Sequence, residues 1–366
     1  MWTAAPDPTA PPESCYWPVA YGTVGWLSTS GPPKSSRRSR AGGRPQTDLG
    51  RLPAVSSPAT PANEPGQTRT KSWPRLLSGA LWVGVVLLIT ATTWSPLIEN
   101  HPAYPLLLLG TLVVGAVLLL TGRVGGKASS RLATIGRRAG FVAAVGVAAL
   151  LVWLRPLSAE PVAIAAMESD SAVAVTESRT ELRFQPTTQT GANLAFYPGA
   201  LVDPRAYSVL ARKLAEAGHQ VVVLKCPLDL ALLCGGAAER VAGDGEWVVG
   251  GHSLGGTEAA RDAVGVPGFA GLLLWASYPL SDVSSIEFPV ASVSGSNDAL
   301  TTPSDIEASR ELLPTDTVFT RVEGAVHGYF GDYGKQPRDG EPTISREEAQ
   351  DEIVAASLAL LAAAAS

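Results

Sequence analysis

The stretch that most constrains the fold is a short apolar run ending in a G-x-S-x-G sequence, WVVGGHSLGG at residues 247–256. A small-residue segment that can start a helix follows it. A strand that turns into a helix within one or two residues strains the backbone of Ser253 and leaves no room for side chains at Gly251 and Gly255. The turn lifts the Ser253 hydroxyl above the sheet edge and aims the Leu254 N–H at an anionic oxygen. The pattern therefore predicts a nucleophile elbow.

Residues 1–75 are predicted to be a disordered arm. They are rich in Pro, Ser, Thr, Gly and Ala without a sustained hydrophobic period, so they cannot bury enough apolar area to fold alone. The alternative is that the true start codon lies downstream of Met1, because Trp2, Trp17 and Trp26 are unusual in a disordered tail. The first long apolar run begins too late for a signal peptide.

The region 76–156 contains three uncharged apolar segments, which predict transmembrane helices at about 78–95, 105–121 and 139–154. The first two approach the ~20 residues that a helix needs to cross a bilayer, whereas the third is short and needs flanking residues. A buried hairpin of core helices is the alternative. An uncharged run of this length is rarely a soluble helix, so the membrane interpretation is favoured.

The distribution of Lys and Arg around these segments predicts their orientation, because positively charged loops stay in the cytoplasm. The loop at 100–103 has no Lys or Arg, whereas basic residues precede the first segment and fill the second loop. These are Arg69, Lys71 and Arg75, then Arg123, Lys127, Arg131, Arg137 and Arg138. The chain is thus expected to be multi-pass in the cell membrane, with residues after about 156 extracytoplasmic. An even number of crossings would instead place the residues after about 156 in the cytoplasm.

Residues 170–366 predict a separate domain in which strands alternate with helices. Alternation of apolar and polar residues at 172–175 and 181–184 indicates an antiparallel hairpin. Strands are then expected at 192–197, 220–224, 246–250, 269–275, 290–293 and 317–322. Helices are expected at 205–217, 228–241, 256–264, 304–313 and 345–364, the last with a capping box of Ser345 and Glu348. Continuous β-branched strands between helices indicate a mostly parallel sheet covered on both faces.

A catalytic Ser needs a His that takes its proton and a carboxylate that orients the His, and after an elbow the acid and then the His follow along the chain. The sequence has four His. His101 lies between apolar segments, His219 begins a strand, and His252 is expected to point away from the pocket. His327 follows the last predicted strand, in a loop that reaches the carboxyl edge of the sheet, so it is the predicted base.

Asp298 is the predicted acid. It comes directly after the strand at 290–293 and a Gly turn, so its carboxylate can face His327. Asp282 follows an earlier strand, and Asp305 is typical of a charge in the first turn of a helix.

The turn after the strand at 192–197 is expected to supply the second oxyanion-hole donor beside Leu254. Pro198 has no N–H, so Ala200 is the best candidate and Leu201 the next. Gly199 is expected to let the backbone approach the substrate. A tight strand-to-helix turn is a compatible structural interpretation.

Little sequence separates the strand at 269–275 from Asp298, which leaves no room for a helical lid and predicts a small open pocket. Core packing is the alternative for its aromatic members. The predicted pocket residues are Gly199, Leu201, Trp275, Tyr278, Tyr329 and Phe330.

Three Cys, at 15, 226 and 234, exclude a disulfide-dense scaffold and a Cys-based metal site. Cys226 and Cys234 form a disulfide if the domain is exported, but one regular helix over 228–241 would hold them too far apart. The net charge is −5 without a long basic block, so no nucleic-acid partner is implied. Neither a metal nor an organic cofactor is expected.

Four segments resemble the α/β-hydrolase superfamily, specifically its alpha/beta hydrolase fold-5 branch, which is related to dienelactone hydrolases. They are YPGALVDPRAY at 197–207, GGHSLGG at 250–256, GSND at 295–298 and HGYFGDYG at 327–334. The resemblance covers roughly Thr176 to the C-terminus and not the first 160 residues. It implies an α/β-hydrolase fold and a serine hydrolase triad of Ser253, Asp298 and His327. Dienelactone hydrolases use a Cys nucleophile, so their substrate is not implied.

These features together predict a membrane-anchored, carboxylesterase-like serine hydrolase that cleaves an ester-like acyl bond through an acyl-enzyme. A small-molecule or lipid-like acyl compound is the expected substrate. An acyltransferase of the same fold is one alternative. A non-catalytic scaffold that acts as a binding module is another, and the ordered Ser, Asp and His argue against it.

Overall fold

The computed structural model describes residues 72–123 and 130–365. The predicted disordered arm as far as residue 71, including Arg69 and Lys71, lies outside the described residues, and so does Lys127. Residues 73–75, which the sequence assigns to the arm, already belong to the first helix.

Within residues 72–123 and 130–365, three helices before the sheet are long and apolar enough to cross a membrane. The helices of this region are α1 (Trp73–Thr92), the short α2 (Trp94–Glu99), α3 (Ala103–Arg123) and α4 (Arg131–Trp153). The third apolar segment, short when only its uncharged residues are counted, belongs to a helix of 23 residues that begins at Arg131. Its length is therefore sufficient for a crossing.

Helices α1 and α3 pack closely because glycines remove side chains where they meet. A Cβ at Gly79 would lie 2.6 Å from the Gly115 carbonyl oxygen. Small residues allow this close approach between membrane helices.

The indole N–H of Trp82 donates to the Ala144 carbonyl at 2.8 Å and joins α1 to α4. Large apolar side chains such as Leu106, 63% exposed, cover the outer surfaces of these helices.

The sheet-side ends of these helices meet in a buried apolar group that we call the junction cluster. It consists of Val86, Ile89, Leu97, Tyr104, Leu108, Leu151 and Leu154. Leu201, Leu228 and Leu230, from two turns of the sheet domain, pack against it. The junction cluster thus joins the helices to one edge of the domain.

Eight strands form one sheet in the described part of the chain after α4. They are β1 (Val173–Glu177), β2 (Glu181–Pro186), β3 (Asn193–Tyr197), β4 (Val221–Leu224), β5 (Trp247–His252), β6 (Phe269–Trp275), β7 (Val290–Gly295) and β8 (Val318–Val322). Their order is β1-β2-β4-β3-β5-β6-β7-β8. The β1–β2 and β2–β4 pairs are antiparallel, and the other pairs are parallel. The predicted hairpin and parallel sheet are both confirmed.

Helices cover both faces of the sheet. They are α5 (Pro161–Ala165), α6 (Ser208–Glu216), α7 (Ala237–Val241), α8 (Leu254–Gly265), α9 (Pro303–Ser309) and α10 (Arg346–Ala364). Leu210 of α6 and Ile353 of α10 belong to the core on one face, and Ala259 of α8 to the core on the other. The predicted capping box of α10 is confirmed, because the Ser345 hydroxyl accepts from the Glu348 N–H at 3.2 Å and the Glu348 carboxylate accepts from the Ser345 N–H at 2.9 Å.

The predicted helix over 228–241 is wrong. Leu228 and Asp229 have φ values of 58° and 51°, which end any right-handed helix, and only single turns precede α7. Cys226 and Cys234 form a disulfide with their Cα atoms 5.5 Å apart. The folded-back loop brings the two thiols together, so the alternative with separated Cys is excluded.

Removing the disulfide is expected to lower the free energy of unfolding by about 2–3 kcal/mol, because the bond closes a short loop in the unfolded chain. The test is urea unfolding of the full chain in detergent, followed by tryptophan fluorescence, for the wild type and a Cys226→Ser, Cys234→Ser variant. Adding dithiothreitol to the wild type should reproduce the loss. Equal stability of the variant and the oxidised wild type would contradict the prediction.

Candidate active site

Ser253 lies between β5 and α8 with φ 53° and ψ −125°, a conformation that is strained for a residue with a side chain. Glycines make the turn possible. A Cβ at Gly251 would overlap the backbone of Gly255, and one at Gly255 would overlap the carbonyls of Tyr197 and Pro198. The turn therefore has the geometry that the sequence predicts for a nucleophile elbow.

Asp298 and His327 are hydrogen-bonded to each other. The Asp298 Oδ2 lies 2.8 Å from the His327 Nδ1, and both side chains are buried. The other carboxylate oxygen accepts from the N–H groups of Leu300 and Thr301 at 2.8 and 2.7 Å. These backbone donors fix the carboxylate, so it holds the imidazole in one orientation.

The turn that carries His327 is held by a carboxylate that the sequence does not point to. Asp339 accepts from the His327 N–H at 3.2 Å and from the Gly328 N–H at 2.7 Å. It therefore fixes the backbone of the turn that presents the imidazole. No spacing rule links Asp339 to the elbow, because the contact forms only when the loop after β8 folds back.

Ser253 and His327 lie at the same edge of the sheet, after β5 and β8. Within the described residues no hydrogen bond joins the Ser253 hydroxyl to the His327 ring. His327 instead contacts His252, and the ring centroids of these two residues lie 4.6 Å apart. His327 therefore packs on the residue that directly precedes Ser253.

His252 lies against the predicted base, a contact that its place in the motif does not indicate. Side chains alternate along a strand, and that of His252 lies on the sheet face of Val248, among residues of the core around α6 and α10. Its Nδ1 lies 2.9 Å from the Tyr207 hydroxyl, and its ring stacks on Phe330 with centroids 5.7 Å apart. Burial first, and then the neighbouring His327, lower the pKa of His252 well below its usual value. His252 is therefore neutral.

Two backbone N–H groups near Ser253 are available to an oxyanion. Leu254 is the first residue of α8, so its N–H has no partner within the helix. The Ala200 N–H makes no hydrogen bond in the described part of the chain. The Leu201 N–H, the second choice from sequence, donates to the Asp229 carbonyl at 2.8 Å and is already occupied.

The predicted pocket residues fall into different environments. Trp275 and Phe330 are core residues rather than walls, because both are at most 2% exposed and Trp275 packs on Phe196 with ring centroids 4.6 Å apart. Tyr278 and Tyr329 are partly exposed. Their positions are compatible with a rim.

The two predicted pocket residues in the turn after β3 also make contacts outside a pocket. Leu201 packs on the junction cluster. A Cβ at Gly199 would lie 2.7 Å from the His252 Nδ1, so glycine there allows close approach to His252 rather than to open space. The Gly199 N–H donates to the Tyr207 hydroxyl at 2.8 Å. Among the described residues there is no group of three or more His, Cys, Asp or Glu that could hold a metal ion.

Comparison with known proteins gives a family for this domain. Residues 193–351 match the sequence model of the alpha/beta hydrolase family. No curated protein matches the sequence. Among solved structures, an alpha/beta hydrolase enzyme from the metagenome of sediments from the lagoon of Mar Chica, Morocco, is similar at 16% identity and a TM-score of 0.36. The match covers 44% of this chain and 92% of that chain. The family match confirms the resemblance to α/β-hydrolases for residues 193–351. The domain that contains them, with its mostly parallel sheet and helices on both faces, has the α/β-hydrolase fold.

Proposed function

We propose that this domain is a serine hydrolase that cleaves an ester-like acyl bond. The single observation that carries the proposal is the buried 2.8 Å hydrogen bond between Asp298 and His327, at the sheet edge where the strained Ser253 lies. A carboxylate that orients an imidazole beside an elbow serine is the arrangement that acyl transfer requires.

The proposed reaction proceeds through an acyl-enzyme. The Nδ1–H of His327 donates to Asp298, which leaves Nε2 to take the Ser253 proton as the hydroxyl oxygen attacks the carbonyl carbon. The N–H groups of Leu254 and Ala200 stabilise the oxyanion. His327 then protonates the leaving group, and water attacks the acyl-enzyme to release the acid. A hydrogen bond between Ser253 and His327 need not be present beforehand, since catalytic hydrogen bonds often form their final geometry only when the substrate binds.

His252 favours this reaction by remaining neutral beneath His327. A second charged imidazole 4.6 Å from His327 would oppose the imidazolium that forms during catalysis. Burial and the hydrogen bond to Tyr207 keep the His252 ring fixed and uncharged. His252 is thus a proposed positioning residue for the base.

The membrane arrangement that we propose has three crossings with the hydrolase domain on the outer side. The α1–α3 connection contacts the domain, since Ser95 accepts from the Arg205 guanidinium at 2.9 Å and the Glu99 carbonyl accepts from Lys225 at 2.7 Å. That connection and the domain therefore share one side. The opposite helix ends carry Arg75, Arg123, Arg131, Arg137 and Arg138, which favours the cytoplasm for them. The Cys226–Cys234 disulfide fits an oxidising outer compartment.

Ser253→Ala is expected to abolish labelling by a fluorophosphonate probe and to lower ester hydrolysis by at least about 10³-fold, because the nucleophile is lost. Asp298→Asn and His327→Ala should also lower turnover severely. Ser284→Ala, at an exposed serine, is the matched control and should leave both readouts unchanged. Folded wild-type protein that resists the probe and cleaves no ester would contradict the proposal. Transfer of the acyl group to an added alcohol in preference to water would indicate an acyltransferase instead.

The contribution of His252 to stability is expected to fall as the pH decreases below about 6.5, because the unfolded chain protonates His252 there and the folded domain does not. The contribution of this residue is at most about 1.4 kcal/mol per pH unit. Urea unfolding of the wild type and a His252→Gln variant between pH 5 and 7 measures it. The raised pKa of Asp332 acts with the opposite sign but is common to both proteins, so it cancels. Identical slopes would contradict a neutral buried His252.

A cysteine in place of Arg261, which is exposed on α8, is expected to react with a membrane-impermeant maleimide on intact cells. A cysteine in place of Arg131 should react only after the cells are opened, because it lies at the opposite helix ends. Both variants carry Cys15→Ser to remove that thiol. The reverse labelling pattern would place the domain in the cytoplasm and overturn the orientation.

A further inference from the structure

We propose that the active site opens toward the membrane surface and that its substrate is an amphiphilic acyl ester held in the adjacent leaflet. This inference rests on the proposed hydrolase function for its chemistry. Its geometric part, that the catalytic edge of the sheet faces the bilayer, stands on separate observations.

The carboxyl edge of the sheet is the edge that contacts the membrane helices. Leu201 follows β3, and Leu228 and Leu230 follow β4, and all three pack against the junction cluster. The neighbouring strand β5 ends at the elbow on the same edge, because β3 and β5 are parallel. Leu201 is also the residue next to Ala200, the proposed oxyanion donor. The site therefore begins one residue away from the membrane helices.

Backbone hydrogen bonds prevent this edge from turning away from the bilayer. Leu157, close after the end of α4, donates to the Leu201 carbonyl at 2.7 Å and accepts from the Asp203 N–H at 2.9 Å. The Leu201 N–H is bonded in turn to the Asp229 carbonyl. The turn that carries Ala200 is thus clamped between α4 and the disulfide loop. A helix that crosses the membrane at α4 fixes the direction in which the site faces.

Exposed leucines extend this edge beyond the junction cluster. Leu232 and Leu233, in the disulfide loop after β4, are 51% and 52% exposed, and Leu280, after β6, is 72% exposed. They lie on either side of β3 and β5 in the strand order. These exposed leucines, which we call the apolar rim, gain nothing from burial while they lie in water, whereas the headgroup and acyl boundary accepts such side chains. Continuity with the membrane helices makes the leaflet, rather than a soluble protein, the occupant that we infer.

A substrate that dissolves in the leaflet would reach such a site by lateral diffusion. Its acyl chain would remain near the apolar rim while the ester carbonyl enters between Ser253 and the Ala200 N–H. A short water-soluble ester would gain nothing from the rim. The leaflet-facing leucines should therefore affect the two kinds of ester differently.

The experiment uses the full chain reconstituted in phosphatidylcholine vesicles, with p-nitrophenyl acetate in the water and a long-chain p-nitrophenyl ester in the bilayer. Leu280→Glu and Leu232→Glu with Leu233→Glu are expected to lower turnover of the bilayer ester by at least about tenfold. They should change acetate turnover less than about twofold. Val318→Glu is the matched control, because Val318 is 62% exposed at the amino end of β8, on the opposite edge. It should change neither rate.

Equal losses for both esters would overturn the inference, and so would unchanged turnover of the bilayer ester. The inference would also be overturned if the leucine variants lost turnover of the long-chain ester only when a soluble protein was present, because the leucines would then be a contact for that protein.

A second readout does not depend on catalysis. A bimane dye on a cysteine in place of Leu280, in the Cys15→Ser background, should be quenched by a shallow spin-labelled lipid, whereas one in place of Val318 should not. Quenching without hydrolysis of either ester would contradict the proposed function and leave the membrane-facing geometry intact. Hydrolysis without quenching would overturn the geometry alone.

Discussion

Three backbone segments meet at Ser253 so closely that only glycine fits between them. Gly251 and Gly255 bring the end of β5, the start of α8 and the turn after β3 into contact. The strained φ of 53° at Ser253 is the cost of that contact, and the surrounding sheet maintains it. The two oxyanion donors that we propose, Leu254 and Ala200, come from two of these segments. Their position relative to Ser253 is thus set by backbone packing, which no surface side chain has to maintain.

Much of the fold and the pairing of Asp298 with His327 could be predicted from sequence because their signals are local. Buried strands such as β4 and β5 are short runs without charged residues that contain consecutive valines, and each is followed by a Pro or Ser turn. The chain order of an elbow serine, an acid and a His limits the candidates to Asp298 and His327 once the last strands are located. Parallel pairing of β7 with β8 then brings these two residues to the same edge, where they form their hydrogen bond.

The errors lie where contacts between distant segments override local propensity. The segment 228–241 has the composition of a helix, yet Leu228 and Asp229 adopt positive φ because the Asp229 carbonyl is held by the Leu201 N–H and Cys226 bonds to Cys234. The contacts of His252 likewise cannot be derived from its position in the motif. Its neighbours come from segments that the sequence does not connect, so neither its orientation nor its low pKa was predictable.

Two buried cations show that the apolar helices before the sheet are part of the fold of this domain. The Arg205 guanidinium forms an ion pair with Asp203 and also donates to Ser95, and the Lys225 side chain, fully buried, donates to the Glu99 carbonyl. Burial lowers the pKa of Lys225 because it disfavours the charged form. A buried charge is costly unless its donors are satisfied, and here part of that satisfaction comes from the α1–α3 connection. Removing the helices would take away those acceptors and expose the leucines of the junction. The carboxyl edge of the sheet, where Ser253 and His327 lie, is therefore complete only when the apolar helices are folded against it.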